Sequence, residues 1–257
     1  MKQYKAYAKV NVFLKITGTR GVYHEILSRF VLVNKLFDTL SFQAKEQHNF
    51  LIIGDFNCTI EQNTIYKSYL ALQEAIHSEV LERLMKSHAI KVDKQIPSFA
   101  GLGGGSSDAA TYLLMCNEVL HLGLSLDELA HIGSKVGADV PFFIYGYQSA
   151  NVSGVGEIVE KFEEEALNIE TYTPSIEIST PHVYQSFRET FYKELSIQEQ
   201  IDYAHRSSLE IFETMNATDA NDLFSPAQLL YPDIKAHYKE GWFFSGSGSS
   251  FFRILKS

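Results

Sequence analysis

Cysteine is nearly absent: Cys58 and Cys116 are the only two in 257 residues. They lie far apart, with no second thiol or histidine at metal-ligand spacing. A disulfide framework and a zinc site are therefore excluded, and a reducing compartment fits. Positive charge is also short. Lys and Arg number 22 against 31 Asp and Glu, a formal net charge of −9, which argues against a nucleic-acid partner held by phosphate neutralisation. No stretch approaches the roughly 20 apolar residues needed to span a bilayer. The opening "MKQYKAYAKVNVFLKI" carries Lys2, Lys5, Lys9 and Lys15, which leaves no apolar run for a signal peptide. Neither a membrane nor a secretory route is expected, and the chain reads as cytoplasmic. Repeats and low-complexity tracts are missing too. Two standard nucleotide-binding signatures fail: there is no G-x-x-x-x-G-K-S/T, and no G-x-G-x-x-G followed about 20 positions later by an acidic residue.

What is present is a chain 45% hydrophobic and 21% charged, a balance that supports a sizeable core. In "AYAKVNVFLKIT", residues 6–17, Val10, Val12, Leu14 and Ile16 fall on one face of a strand, and Lys9, Asn11, Phe13 and Lys15 on the other. The first face is expected in the core; the second sets an ammonium beside an amide. Further strand-like runs are "RFVLV", "DTLSFQA" and "FLIIG". Asn63 stands where a helix N-cap belongs, before a stretch to about Ser87 free of Gly and Pro. That predicts one helix with Leu70, Gln73, Ile76, Val80 and Leu84 near helical spacing. A strand at "AIKVDK" leads into a glycine-rich loop, and a helix is expected from about Ser106. Ser125 and Glu128 make a capping box for the next helix, after which Asp139 precedes "PFFIYG", read as a buried strand. Strands around 149–162 and 171–179 precede helices near 182–193, 197–214 and 226–239. Two strands around a glycine–serine turn, "WFFSGSGSSFFRIL", close the chain. Strands and helices intermix, so the expected class is α+β. The weakest seam suggests two domains, 1–150 and 151–257.

The loop "PSFAGLGGGSSDAA", residues 97–110, spends conformational freedom that a folded domain recovers only if something approaches its main chain. Its order of strand, glycines, serines and helix suits an anion. Free N–H groups at a helix N-terminus carry partial positive charge, glycines let them approach phosphate oxygens, and Ser106 and Ser107 add hydroxyls. A flexible surface linker is the other reading of the glycines alone.

Taken together, several segments resemble the superfamily of galactokinase, homoserine kinase, mevalonate kinase and phosphomevalonate kinase, the GHMP kinases. Residues Pro97 to Asp108 resemble its phosphate loop, and "NDLFSPAQLLYP" also fits a segment of it. "AKVNVFLKITGTRGVYHEI", "GADVPFFIYGYQSANVSGVGEIV" and "SGSGSSFF" resemble the signatures of a member that phosphorylates a cytidyl diphosphate polyol. The resemblance implies two α/β lobes with the site in the cleft between them: an N-terminal lobe with the phosphate loop and a shortened ferredoxin-like C-terminal lobe. It implies transfer of the γ-phosphoryl group of ATP to a 2-hydroxyl in non-mevalonate isoprenoid synthesis, with Mg²⁺ expected and its ligands unassigned. The small-molecule cytidyl diphosphate substrate is the implied partner.

Residue roles carry over from that resemblance. Lys9 and Asp139 match the catalytic pair. Pro97, Ser98, Phe99, Ala100, Gly101, Leu102, Gly103, Gly104, Gly105, Ser106 and Ser107 match the ATP loop, with Asn63 and Lys94 near the nucleoside. Tyr23, His24 and Tyr184 match the residues that receive cytosine, with Asn11 and Thr180 also on the substrate side. Alone, Lys9 would read as a solvated strand lysine, Asp139 as a turn residue and His24 as structural or solvent-exposed. Four departures stand out. "RGV" precedes Tyr23 where Asp-Gly is usual; Tyr184 stands where Phe is also used; Ser247, Ser249 and Ser250 stand where Thr, Ala and Cys often occur; and a closing helix and strand are expected to be lacking. Another kinase of the superfamily, acting on homoserine or a mevalonate-type substrate, is one alternative. A non-catalytic nucleotide or metabolite sensor on the same scaffold is the other.

Overall fold

Two long strands, β1 (Tyr4–Arg20) and β2 (Tyr23–Ala44), open a computed structural model that describes residues 2–21 and 23–255. They pair with each other. The runs "RFVLV" and "DTLSFQA" belong to one continuous strand of 22 residues. Alternation predicted a single core face for β1, yet every residue from Ala8 to Ile16 is buried. Lys9, Asn11 and Lys15 are thus interior residues, each held by partners rather than by water.

A short strand β3 (Ile52–Ile53) leads to α1 (Thr64–Ile76) and α2 (Glu79–Ser87). Asn63 caps α1 as expected, its Oδ1 accepting from Ile65 N at 2.9 Å. The single helix predicted over 64–87 is broken at His77, whose φ of 44° is left-handed, and Ser78 caps the second piece. The break resets the helical phase: Ile65, Leu72 and Leu81 are buried, whereas Leu70 and Val80 are exposed. Strand β4 (His88–Asp93) precedes the loop, and α3 (Gly104–Val119) starts two residues earlier than Ser106. The Ser125–Glu128 capping box opens α4 (Leu126–Ser134).

"PFFIYG" is not a strand. It forms α5 (Val140–Tyr145), with Asp139 at its N-cap, Pro141 in its first turn and Gly146 left-handed at its C-cap. A short apolar run fits either structure, and proline at the start with glycine at the end selects the helix. The chain continues through β5 (Ser149–Gly154), β6 (Ile158–Lys161), β7 (Ile169–Tyr172) and α6 (Thr180–Ser186). A π-helical turn over Phe187–Phe191 extends α6. Then come α7 (Ile197–His205), α8 (Ser208–Thr214), α9 (Ala217–Ala220), α10 (Phe224–Leu230) and α11 (Ile234–His237). The predicted strands β8 (Phe243–Phe244) and β9 (Phe251–Ile254) close the order around the glycine–serine turn.

Proximity divides the chain into two interleaved units. One holds Met1–Ala8, Lys35–Ser98 and Gly104–Gly146; the other holds Lys9–Asn34, Phe99–Gly103 and Tyr147–Ser257. This differs from a single cut after residue 150, because β1 and β2 are long enough to contribute to both. In the first unit the later half of β2 pairs antiparallel with β4, from Thr39↔Asp93 to Ala44↔His88, and β3 runs parallel to β4. Helices α1, α3, α4 and α5 pack together, burying Leu72, Tyr112, Leu113, Leu129 and Phe142. In the second unit the first half of β2 pairs with β5, which pairs with β6. A separate three-stranded sheet runs β7-β9-β8. Its core joins Leu14, Ile16 and Ile26 to Val183, Phe224, Phe244 and Phe251. Among the described residues no helix is long and apolar enough to cross a membrane.

Candidate functional site

The glycine loop answers its own question through backbone geometry. Phe99, Gly101 and Gly103 have φ of 54°, 73° and 72°. Left-handed residues at alternate positions turn successive N–H groups toward one side, the geometry of an anion-binding nest. Glycine is demanded at position 101, where a Cβ would lie 2.1 Å from Ser245 O. Phe99 holds its left-handed angle with a side chain that is 59% exposed, a conformation costly for a bulky residue. The loop is tied on both sides within its unit. Lys9 N donates to Leu102 O at 2.9 Å, Ser245 Oγ to Gly101 O at 2.9 Å and Ser250 N to Ala100 O at 3.1 Å. The two glycine-rich motifs, far apart in sequence, therefore interlock. Asn221 of "NDLF" braces the second one, its Nδ2 donating to Phe244 O and Gly246 O.

On the other unit, Gly104 and Gly105 form the first turn of α3, with Ser107 buried behind them. Thr64 Oγ1 donates to Gly105 O at 2.6 Å, which joins the start of α1, capped by Asn63, to the start of α3. Pro97 and Ser98 are exposed, and Ser106 is half-buried. Lys94 makes ion pairs with two buried carboxylates, Asp38 and Asp108, the latter at 2.7 Å. Asp38 Oδ1 also accepts from Gln95 N and Ile96 N at 2.5 and 2.8 Å. The group fixes the strand exit that leads into the loop. Burial pushes the Asp108 carboxyl up to about 7 against the pull of Lys94, with Asp38 adding to the rise. Burial would lower Lys94, but the two carboxylates overcome it and raise its pKa. Asp108 lies inside the quoted loop motif. Asp38 left no signal, because its partner Lys94 is 56 residues away.

Lys9 and Asn11 meet as their spacing predicted. Lys9 Nζ donates to Asn11 Oδ1 at 2.6 Å and lies 4.2 Å from the centre of the Phe30 ring, while Asn11 Nδ2 donates to Ser28 Oγ at 2.9 Å. The amide is thereby fixed with its oxygen toward the ammonium. Asp139 is half-buried at the head of α5, and its side chain makes no capping hydrogen bond there.

His24 and Tyr184, separated by 160 positions of sequence numbering (184 − 24), come together with ring centroids 5.1 Å apart and planes tilted by 33°. His24 is buried, Tyr184 half-buried and Tyr23 65% exposed. Such an arrangement offers one open aromatic face and one sheltered imidazole. Burial, and then the nearby Arg188 cation, hold His24 below its ordinary value of 6.5, so the ring is neutral at pH 7. Arg188, a residue that sequence reasoning missed, donates from Nε to His24 Nε2 at 3.3 Å. Its spacing of four from Tyr184 along one helical face was the available signal. Thr180, at the start of α6, shares a hydrogen bond of 2.6 Å with Ser247 Oγ.

Residues 63–147 match the GHMP kinases N terminal domain. Across its length the chain is similar to 4-diphosphocytidyl-2-C-methyl-D-erythritol kinases. That of Sulfurimonas denitrificans is 60% identical over 99% of this chain and 97% of the relative. That of Sulfurovum sp. is 43% identical over 99% of each. A crystal structure of 4-(cytidine 5′-diphospho)-2C-methyl-D-erythritol kinase superposes with a TM-score of 0.68 at 28% identity, covering 100% of this chain and 91% of the other.

Proposed function

The chain belongs to the family of 4-diphosphocytidyl-2-C-methyl-D-erythritol kinases, and from that membership we infer how its own residues divide the work. It is a kinase of the GHMP fold that uses ATP to phosphorylate the 2-hydroxyl of 4-diphosphocytidyl-2-C-methyl-D-erythritol, a step toward isoprenoid precursors. The observation that carries this is 60% identity over nearly the whole chain, with Lys9 and Asp139 both present. That identity favours this activity over a homoserine or mevalonate kinase and over a sensor.

In our reading Asp139 accepts the proton of the attacking hydroxyl. Lys9, held by Asn11, orients that hydroxyl and offsets the charge that develops on it. The nest over residues 99–103 and the first turn of α3 offer N–H groups to the ATP phosphates. Asn63 and Lys94 flank the nucleoside, Lys94 by bracing the loop. Tyr23 and Tyr184 stack on cytosine while His24 meets its edge; Asn11 and Thr180 complete the substrate side.

Among the described residues no group of three His, Cys, Asp or Glu side chains gathers as a metal cage. Mg²⁺ keeps waters and is commonly bound through substrate phosphates with few protein ligands. Ser107, in the first turn of α3, is the candidate ligand from the loop, and the ion would neutralise phosphate charge. The test is a coupled ADP-release assay with the cytidyl substrate beside homoserine and mevalonate. Turnover is expected with the first alone; comparable turnover with either of the others would overturn the assignment.

A further inference from the structure

His24 presents two ring nitrogens, and only one can face a bound base. The other, Nε2, lies 3.3 Å from Arg188 Nε. A guanidinium N–H can only donate, so Nε2 must accept. A neutral ring that accepts at Nε2 carries its proton on Nδ1. Arg188 stands in the π-helical turn that extends α6, four residues beyond Tyr184. One helical face therefore brings both the ring beside His24 and the donor on its far nitrogen. His24 itself is 8% exposed, so a mismatched hydrogen bond on its ring is poorly repaired by water.

We propose that Arg188 is a positioning residue for pyrimidine choice: by occupying His24 Nε2 it fixes the Nδ1–H tautomer, so that His24 offers a donor to the edge of the base. Cytosine presents an acceptor at its ring N3. Uracil presents an N–H at the same position and meets the fixed donor with another donor. Removing Arg188 frees the imidazole to move its proton to Nε2 and accept from uracil. This rests on the reading of His24 as the residue that meets the cytosine edge.

The test uses the full chain in wild-type, Arg188→Ala and Arg188→Gln forms. Arg188 is exposed, so neither change opens the core. The first readout is the ratio of kcat/KM for the cytidyl substrate to that for its uridyl counterpart. The second is ¹⁵N NMR of imidazole-labelled protein at pH 7.5. There are nine histidines, and the His24 signals are identified by their loss in His24→Gln. Wild type should show the proton on Nδ1 and favour the cytidyl substrate. Arg188→Ala should shift His24 toward the Nε2–H form and lower the cytidyl preference by about 10-fold, the scale of one relieved mismatch. Arg188→Gln, whose amide can still donate, should recover part of both. A selective wild type whose ratio and tautomer are unchanged in Arg188→Ala overturns this inference alone. A Gln variant as unselective as the Ala variant overturns the hydrogen bond as its cause. Equal kcat/KM for the cytidyl and uridyl substrates in the wild type overturns the cytosine reading itself, and the specificity claim with it.

Discussion

Lys9 is 4% exposed, so truncating it does two things at once: it takes the ammonium from Asn11 Oδ1 at 2.6 Å and empties space beside the Phe30 ring. Leaving Asn11 Oδ1 unpaired costs about 1–3 kcal/mol on its own, which an activity loss in Lys9→Ala would carry along. Lys9→Met keeps the stem, so it leaves no cavity beside Phe30, though it removes the donor to Asn11 Oδ1 along with the charge. It should lower kcat by at least about 10²-fold, the effect of losing an electrostatic donor, while circular dichroism still reports a folded protein. Asp139→Asn, at a half-buried position, should lose a similar factor of about 10² through the missing base. Wild-type turnover in either would remove that residue from the mechanism. His24 adds a pH dependence whose sign follows from its environment. Burial and Arg188 lower its pKa from 6.5, so the unfolded chain takes up the proton first as pH falls. The stability that the neutral ring contributes is full above the unfolded value and is lost as pH drops through the folded one. Its contact with Arg188 goes with it, since a protonated Nε2 cannot accept. KM for the cytidyl substrate should therefore be flat from pH 7 to 8 and rise as pH falls below His24's lowered pKa. A KM that stays flat as the pH falls below that lowered pKa would exclude the neutral imidazole from recognition.

The loop before α3 is best probed where its backbone, and not its neighbour's side chain, forbids a Cβ. At Gly104 the added atom would meet Ile96 Cγ2 at 2.9 Å, so a substitution there also disturbs a buried isoleucine. At Gly101 it would meet the Ser245 carbonyl oxygen at 2.1 Å, from a backbone with φ of 73°. Gly101→Ala should separate the two glycine-rich motifs, raise KM for ATP by at least about 10-fold, and cost about 1–3 kcal/mol of stability. An unchanged ATP KM with an unchanged melting temperature would make the loop a linker. This interlock was only half legible in the sequence. Both motifs could be read, but hydrogen bonds such as Ser250 N to Ala100 O join residues that no local pattern connects. Caps were legible at Asn63 and Ser125 because a cap is a local exchange of hydrogen bonds. Period failed where burial was complete: β1 buries Lys9 and Lys15, which lie against Phe30 and Asp222 from other parts of the chain, and the apolar run of α5 carries no phase to read. His77 shows the other limit, since only its left-handed angle, and no glycine or proline, ends α1.

The interleaving of the two units sets how the molecule can be divided. The chain passes from one unit to the other five times, at 8/9, 34/35, 98/99, 103/104 and 146/147. A polypeptide of residues 1–150 would keep Lys9–Asn34 but lose most of what that segment packs on. Its pairing with β5, from Ile26↔Gly154 to Val31↔Ser149, would be reduced to the last two residues of the register. Leu14, Ile16 and Ile26 would be stripped from Val183, Phe224, Phe244 and Phe251. Burying an aliphatic side chain is worth about 1.5–3 kcal/mol, so these three alone represent roughly 5–9 kcal/mol. That is comparable with the whole margin of an ordinary domain, about 5–15 kcal/mol. The complementary piece, 151–257, would lack the same three residues and β2, one of the two strands that β5 pairs with. We expect neither fragment to show a cooperative thermal transition or dispersed amide resonances, while the full chain shows both. A cooperatively folded 1–150 fragment would mean that residues 9–34 do not depend on the C-terminal half for their packing. It would support residue 150 as a domain boundary.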